Sequence, residues 1–257
     1  MDGWFSSRGT EITGKVKYVR VSKSTYNLLK QSNGYYSNQF ANDKILNVGV
    51  YGDEWSNTDV VAKEYFDNNK TNRELVYIYF DSIDNMYQYY QAKKLDIVFV
   101  PENNRNKKIN THTIFEDNVP NKYKLEKQRK EIKYVLGSIK SHFQLNDETI
   151  FISHEQALQQ CSQYINNRCV VKSTSSSHAA RELKYFMNSN NAVAICNNKA
   201  RKYYNLFLVK NNDGSIIDPY IKTNTKSFVS NAQTKNITIF GIYISELYYS
   251  QLNPTVT

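Results

Sequence analysis

The sequence predicts an α/β protein of two lobes with a ligand cleft between them. Three observations carry this. Short apolar segments alternate with amphipathic segments of helix length. The alternation falls into two blocks, split by a polar stretch near residues 102–125. The chain has 257 residues and is 40% hydrophobic, enough for a core of one large domain or two small lobes.

The elements follow in order. Residues 15–21, "KVKYVRV", read as a strand, and 24–32 as a short helix capped by Ser24. A buried-type strand follows over 46–51, then a helix over 57–68 with Asn57 or Thr58 as its cap. The segment 74–80 is a strand, 82–94 a helix, and 95–101 a third strand closed by Pro101. Residues 102–122 are polar and irregular, and 131–137 reads as a strand. The second block runs strand 149–153, helix 154–167, strand 169–173, helix 176–189, strand 192–196 and helix 197–204. Strand-like pieces close it at 206–210, 214–217, 226–230 and 236–244. Strands spaced by such helices point to parallel sheets with helices on their faces.

Composition narrows the function. The net charge is +9 and the pI near 9.2, which favours anionic ligands. The lysines are scattered, and the densest basic run, 122–133, also holds Glu126 and Glu131. No nucleic-acid motif accompanies it, so a small anion is the expected partner rather than nucleic acid. No apolar run of about 18 residues is present, so no membrane span is expected. The first fifteen residues lack a secretory pattern, and a cytoplasmic protein is expected. Cys161, Cys169 and Cys196 have no C-x-x-C spacing and read as buried free thiols, with neither a disulfide framework nor a metal site.

Ligands of such sheets sit beyond the carboxyl ends of strands, near helix N-termini. The residues there are "GDEWSNT" (52–58), "PENNRNKK" (101–108), "SHEQALQQC" (153–161) and "KSTSSSHAA" (172–180). The last two place hydroxyls where they and backbone N–H groups would hold a carboxylate. For any single Ser or Thr, plain helix capping is the commoner explanation, and the binding reading rests on several of them converging.

"FISHEQALQQCSQYI" resembles the "SHPQALxQCxxYL" segment of prephenate dehydratases. Other pieces agree in order and spacing from about residue 45 to 230: "VGVYGDEWSNTDVVAKEYF", "SIDNMYQYYQAKKLDIVFVPENN", "KSTSSSHAARELKYFMNSNNAVAIC" and "IIDPYIKTNTKSF". The resemblance implies a two-lobed fold similar to type II periplasmic binding proteins. It implies an N-terminal extension over 1–44, a first lobe over 45–104, a second over 105–196, and a return to the first with a tail over 197–257. Only 29 residues follow Phe228 in this sequence, and no regulatory ACT domain is expected among them. Residues 1–44 read as an added strand or as an arm of a homodimer.

The departures from the family are informative. In its closing motif, Asn224 and Phe228 keep the family letters, while Lys226 stands at the catalytic Thr and Ser227 at the carboxylate-binding Arg. Gly52 is kept, but Asp53, Glu54 and Trp55 replace the small turn that follows it. Asn104 lines up with the family Asn, and Asn103 replaces its Glu. The "STSSSHAA" segment is two residues longer than the family's, so Ser173 with Thr174, or Ser175 with Ser176, is the binding pair. Without Thr and Arg, dehydration to an aromatic product is not expected, while the Lys226 ammonium still offers a cation.

The resemblance is strongest to the bacilysin-type prephenate decarboxylases, which lack the same letters. It implies loss of CO2 from prephenate without aromatisation, with no cofactor, in natural-product biosynthesis. A divergent dehydratase and a non-catalytic small-acid-binding module are the alternatives. The candidate proton donors are Lys226, His178 and His154, each of which also reads as a plain scaffold or surface residue. The binding residues implied are Gly52, Asn104, Ser153, Ser173, Thr174, Ser175, Ser176, Asn224, Ser227 and Phe228.

Overall fold

The computed structural model describes residues 3–5, 18–21, 45–102, 113–166, 168–187, 189–217, 219 and 237–253. The chain divides into two compact units. Unit 1 is built from Met1–Asp53, Thr58–Lys130 and Thr238–Thr257; unit 2 is built from Glu54–Asn57 and Glu131–Ile237.

Unit 1 holds a mixed sheet of seven strands. Its parallel centre is β3 (Ile45–Tyr51), β4 (Glu74–Phe80) and β5 (Ile97–Pro101). β1 (Gly3–Phe5) and β2 (Tyr18–Val21) extend one side antiparallel, so residues before 44 do add strands. On the other side lie β12 (Ile237–Ile244), antiparallel to β5, and β6 (Gln128–Glu131). The sheet order is β1-β2-β4-β3-β5-β12-β6. Leu46, Val48, Val50, Val98 and Phe99 are fully buried. Each such side chain contributes roughly 1.5–3 kcal/mol.

Two helices carry the crossovers. α1 (Asn57–Asn68) buries Thr58, Asp59, Val60, Val61, Ala62 and Phe66. α2 (Ile83–Gln91) buries Ile83, Met86 and Tyr89, a stripe at helical spacing, and its cap Ser82 accepts a hydrogen bond from the Asn85 amide. It ends at Ala92, and Lys93 follows at φ 56, the left-handed turn that stops a helix.

Unit 2 holds a five-stranded sheet in the order β11-β7-β10-β8-β9. β8 (Ile150–His154), β9 (Val170–Ser173) and β10 (Ala192–Asn197) are parallel, and β7 (Tyr134–Ser138) and β11 (Phe207–Leu208) are antiparallel additions. α6 (Ser176–Tyr185) and α7 (Asn198–Tyr203) pack Ala179, Ala180, Leu183 and Ala200 on Ile152, Ala194 and Cys196.

The expected α/β architecture is present, with two corrections of detail. The sheets are mixed rather than parallel, because antiparallel strands close the sides of both parallel centres. The helix expected over 154–167 is two, α4 (Glu155–Gln160) and α5 (Ser162–Ile165). They break at buried Cys161, whose carbonyl accepts from both Tyr164 N and Ile165 N.

Three elements lie where no periodic pattern predicts them: α3 (Thr113–Asn118), β6, and α8 (Glu246–Leu252). The lobe boundaries expected at 104/105 and 196/197 also differ from the observed units. Residues 113–130 lie with unit 1, since Lys127 pairs with Glu102 and Glu116 and β6 joins β12. Residues 197–217 lie with unit 2, since β11 pairs with β7 and Leu206 packs in that core. Of the thiols, Cys161 and Cys196 are buried, and Cys169 is exposed, contrary to expectation. Burial pushes the Cys196 thiol up to about 12.

Candidate functional site

The parallel strands β8, β9 and β10 end on one edge of the unit 2 sheet. Antiparallel β7 begins there, with Tyr134 opposite Asn197. Each parallel strand runs almost directly into a helix, so three helix N-termini meet this edge, capped by His154, Ser175 and Asn197. Backbone N–H groups at such ends favour anions.

His154 and Ser173 are partners in register across β8 and β9. Side chains on paired parallel residues share a face. His154 is half-buried, makes no capping bond with its side chain, and its ring lies 6.1 Å from that of Tyr134 at 67°. The Ser173 Oγ is shielded from solvent and meets no hydrogen-bond partner among the described residues. A buried hydroxyl of that kind calls for one. Tyr134 is buried, which pushes its hydroxyl pKa up, while a hydrogen bond with the Asn57 side chain draws it down.

The other sequence-predicted residues separate by role. Ser175 caps α6: its Oγ accepts from the His178 amide at 3.0 Å and lies 3.0 Å from Ser177 Oγ. Thr174 is exposed, and Ser176 is buried in the first turn. Ser153 is fully buried and donates its hydroxyl to Ile195 O at 2.7 Å, tying β8 to β10 as a structural link. His178 Nε2 lies 3.3 Å from Glu182 Oε1, one helical turn on. In unit 1, Gly52 ends β3 at φ 104, a conformation that requires glycine, and donates its amide to Phe80 O at 2.7 Å. Asn104, Asn224, Lys226, Ser227 and Phe228 lie outside the described residues.

Sequence reasoning missed Asn197. It took residue 197 as a helical position. The side chain is instead an N-cap, 7% exposed, with its Nδ2 donating to Trp55 O at 2.6 Å. The signal was the Asn ahead of "NKARKY", a residue favoured as a cap. The turn it holds departs from the small-residue pattern, and Trp55 sits there at φ 62.

A second polar group was missed in unit 1. Tyr243 donates to Glu102 in a short hydrogen bond and lies 3.1 Å from Glu116 Oε2, and Lys127 reaches Glu102 at 2.7 Å and Glu116 at 3.1 Å. A Cβ on Gly241 would collide with the Glu102 carboxylate, so glycine makes room for it over β12. Burial, then the Glu102 carboxylate, push the Tyr243 hydroxyl pKa up. Among the described residues no cluster of His, Cys, Asp and Glu could hold a metal ion, and no helix is long and apolar enough to cross a membrane.

Comparison with known proteins agrees with this layout. The prephenate dehydratase family profile matches residues 48–216, about two thirds of the chain. Among solved structures, a prephenate dehydratase of Arthrobacter aurescens in complex with L-Phe superposes with a TM-score of 0.56 at 15% identity, over 78% of this chain and 60% of that one. The prephenate dehydratase of Staphylococcus aureus subsp. aureus Mu50 gives 0.51 at 17% identity, over 77% and 66%. GqqA, described as a novel type of quorum quenching acylase, gives 0.50 at 13% identity, over 77% and 64%. These superpositions show a shared fold, and the chain spans 60% of the length of the Arthrobacter protein. No curated protein sequence matches.

Proposed function

Because the chain belongs to the prephenate dehydratase family, we propose that it binds prephenate at the carboxyl edge of the unit 2 sheet and removes CO2 from it without aromatisation. The observation that carries this is the in-register pair His154 and Ser173 beside the Ser175-capped N-terminus of α6. A hydroxyl, helix amides and an imidazole on one edge are what an anionic substrate and a proton transfer need.

In the proposed step, the bond between the ring and its carboxylate breaks and CO2 leaves. The electron pair moves into the ring diene, and one proton adds to a ring carbon. The ring hydroxyl stays, so the product is a dihydro-hydroxyphenylpyruvate. Ser173 and the first turn of α6 would hold a carboxylate. His154 is the favoured donor, because His178 already faces Glu182. Lys226 and Ser227, where the family carries its dehydrating Thr and Arg, argue against loss of hydroxide. Lys226 would supply a cation for the second carboxylate.

The test is incubation of the purified chain with prephenate, following CO2 and product absorbance. CO2 with a non-aromatic product supports the proposal. Phenylpyruvate would mean dehydration. Thermal stabilisation by prephenate without turnover would mean a binding module of the same fold.

A further inference from the structure

The Asn197 amide does two jobs. Its Oδ1 accepts from Ala200 N at 2.8 Å and caps α7. A backbone N–H is met only by the oxygen end of the amide, so the cap fixes which way the group faces. The nitrogen end then donates to Trp55 O at 2.6 Å and lies 3.3 Å from Asn57 Oδ1. The side chain is 7% exposed, so water competes weakly for these bonds.

The turn so held is an unfavourable one. Trp55 sits at φ 62, in the left-handed region that a bulky residue avoids. Its ring packs at 5.1 Å from Tyr203, on α7 itself. Asn57 meets the Tyr134 hydroxyl, and the Tyr134 ring packs on His154. A continuous path of contacts therefore runs from Asn197 through Asn57 and Tyr134 to His154, all within unit 2.

We infer that Asn197 is a positioning residue for His154, acting through the Trp55–Asn57 turn and Tyr134. The inference rests on the proposed decarboxylation with His154 as proton donor. Asn197 itself touches no reacting atom. Its amide nitrogen sets the turn, Asn57 sets the Tyr134 hydroxyl, and the Tyr134 ring sets the imidazole. The oxygen end caps α7 independently, so the two functions are separable by mutation.

The test is Asn197→Asp, with Asn197→Ser as a second variant, both in a Trp4→Phe background so that Trp55 is the sole indole. Both variants keep a capping oxygen; Asp carries no donor, and Ser loses the amide NH2 and keeps only the shorter hydroxyl. Expected are a modest fall in melting temperature, because the Trp55 carbonyl loses its donor, and more efficient acrylamide quenching of Trp55. Expected also is a fall in kcat for CO2 release of between about twofold and tenfold, the range of one hydrogen bond, with KM unchanged. Parental quenching and kcat in a folded variant would overturn the inference. So would a loss of melting temperature in both variants with quenching and kcat unchanged, which would make the bond of the amide nitrogen a structural one alone. A parent that releases no CO2 overturns the decarboxylase reading and the catalytic consequence together. The quenching still decides whether Asn197 holds the turn.

Discussion

Tyr79 donates its hydroxyl to Asp59 Oδ1 at 2.8 Å, inside unit 1, where the Asp59 side chain has no solvent exposure. The other carboxylate oxygen accepts from Lys63 Nζ at 2.6 Å. A carboxylate in that position depends on its donors, because its charge has lost water. Tyr79→Phe keeps the ring and removes one donor. It lowers unfolding free energy by about 1.5–3 kcal/mol, the range for hydrogen bonds to charged groups, as measured by urea denaturation.

The acid limb of stability reports on Glu116. The hydrogen bond from Lys127 holds its carboxyl below the ordinary value of 4.5, helped by Tyr243 and by the charge of Lys124. A depressed folded value means that the unfolded chain binds the proton first. The contribution is therefore fully present above about pH 4.5 and is lost as pH falls through the folded value. Lys127→Met flattens this limb. Urea midpoints measured from about pH 6 down to pH 3 check it, and a slope like that of the parent would show that Lys127 is not its source.

The two histidines separate in kinetics. His154→Asn lowers kcat for CO2 release by about 10²–10⁴-fold, the usual worth of a general acid, and leaves the prephenate Kd within a few-fold. His178→Asn leaves kcat within about threefold, since that ring pairs with Glu182 on the same helix. The reverse order of effects would reassign the donor.

Rebuilding the family motif tests what its departure means. The double change Lys226→Thr with Ser227→Arg restores an acid and a bidentate carboxylate partner. It shifts the product of prephenate toward phenylpyruvate, read by absorbance and by chromatography. A double variant that makes only the non-aromatic product would show that those two positions do not choose the reaction.

Much of the fold was legible because the relevant forces are local. Helix 57–68 and strand 74–80 fall at the residues their periodicity indicated, since one apolar face or one buried run fixes each element by itself. The strand ends at 153–154 and 172–175 pointed to the edge where His154, Ser173 and Ser175 meet. The antiparallel strands were not legible as such. β12 pairs with β5 across more than a hundred residues, and no local pattern states which strand it will meet.

The same distinction divides the site. Ser153 and Ser173 read alike in the sequence, each a serine near the end of a strand. Only packing separates them, by giving Ser153 the Ile195 carbonyl and leaving Ser173 Oγ shielded at the edge. By itself the sequence determined the alternation of strands and helices and the family. These are matters of residue identity and of short-range periodicity. The tertiary structure decided which hydroxyls are committed to the scaffold, that His178 faces Glu182 while His154 faces Tyr134, and that Asn197 holds Trp55 in its left-handed turn. The last two join residues far apart in the chain, and they exist only where folding closes the distance between them.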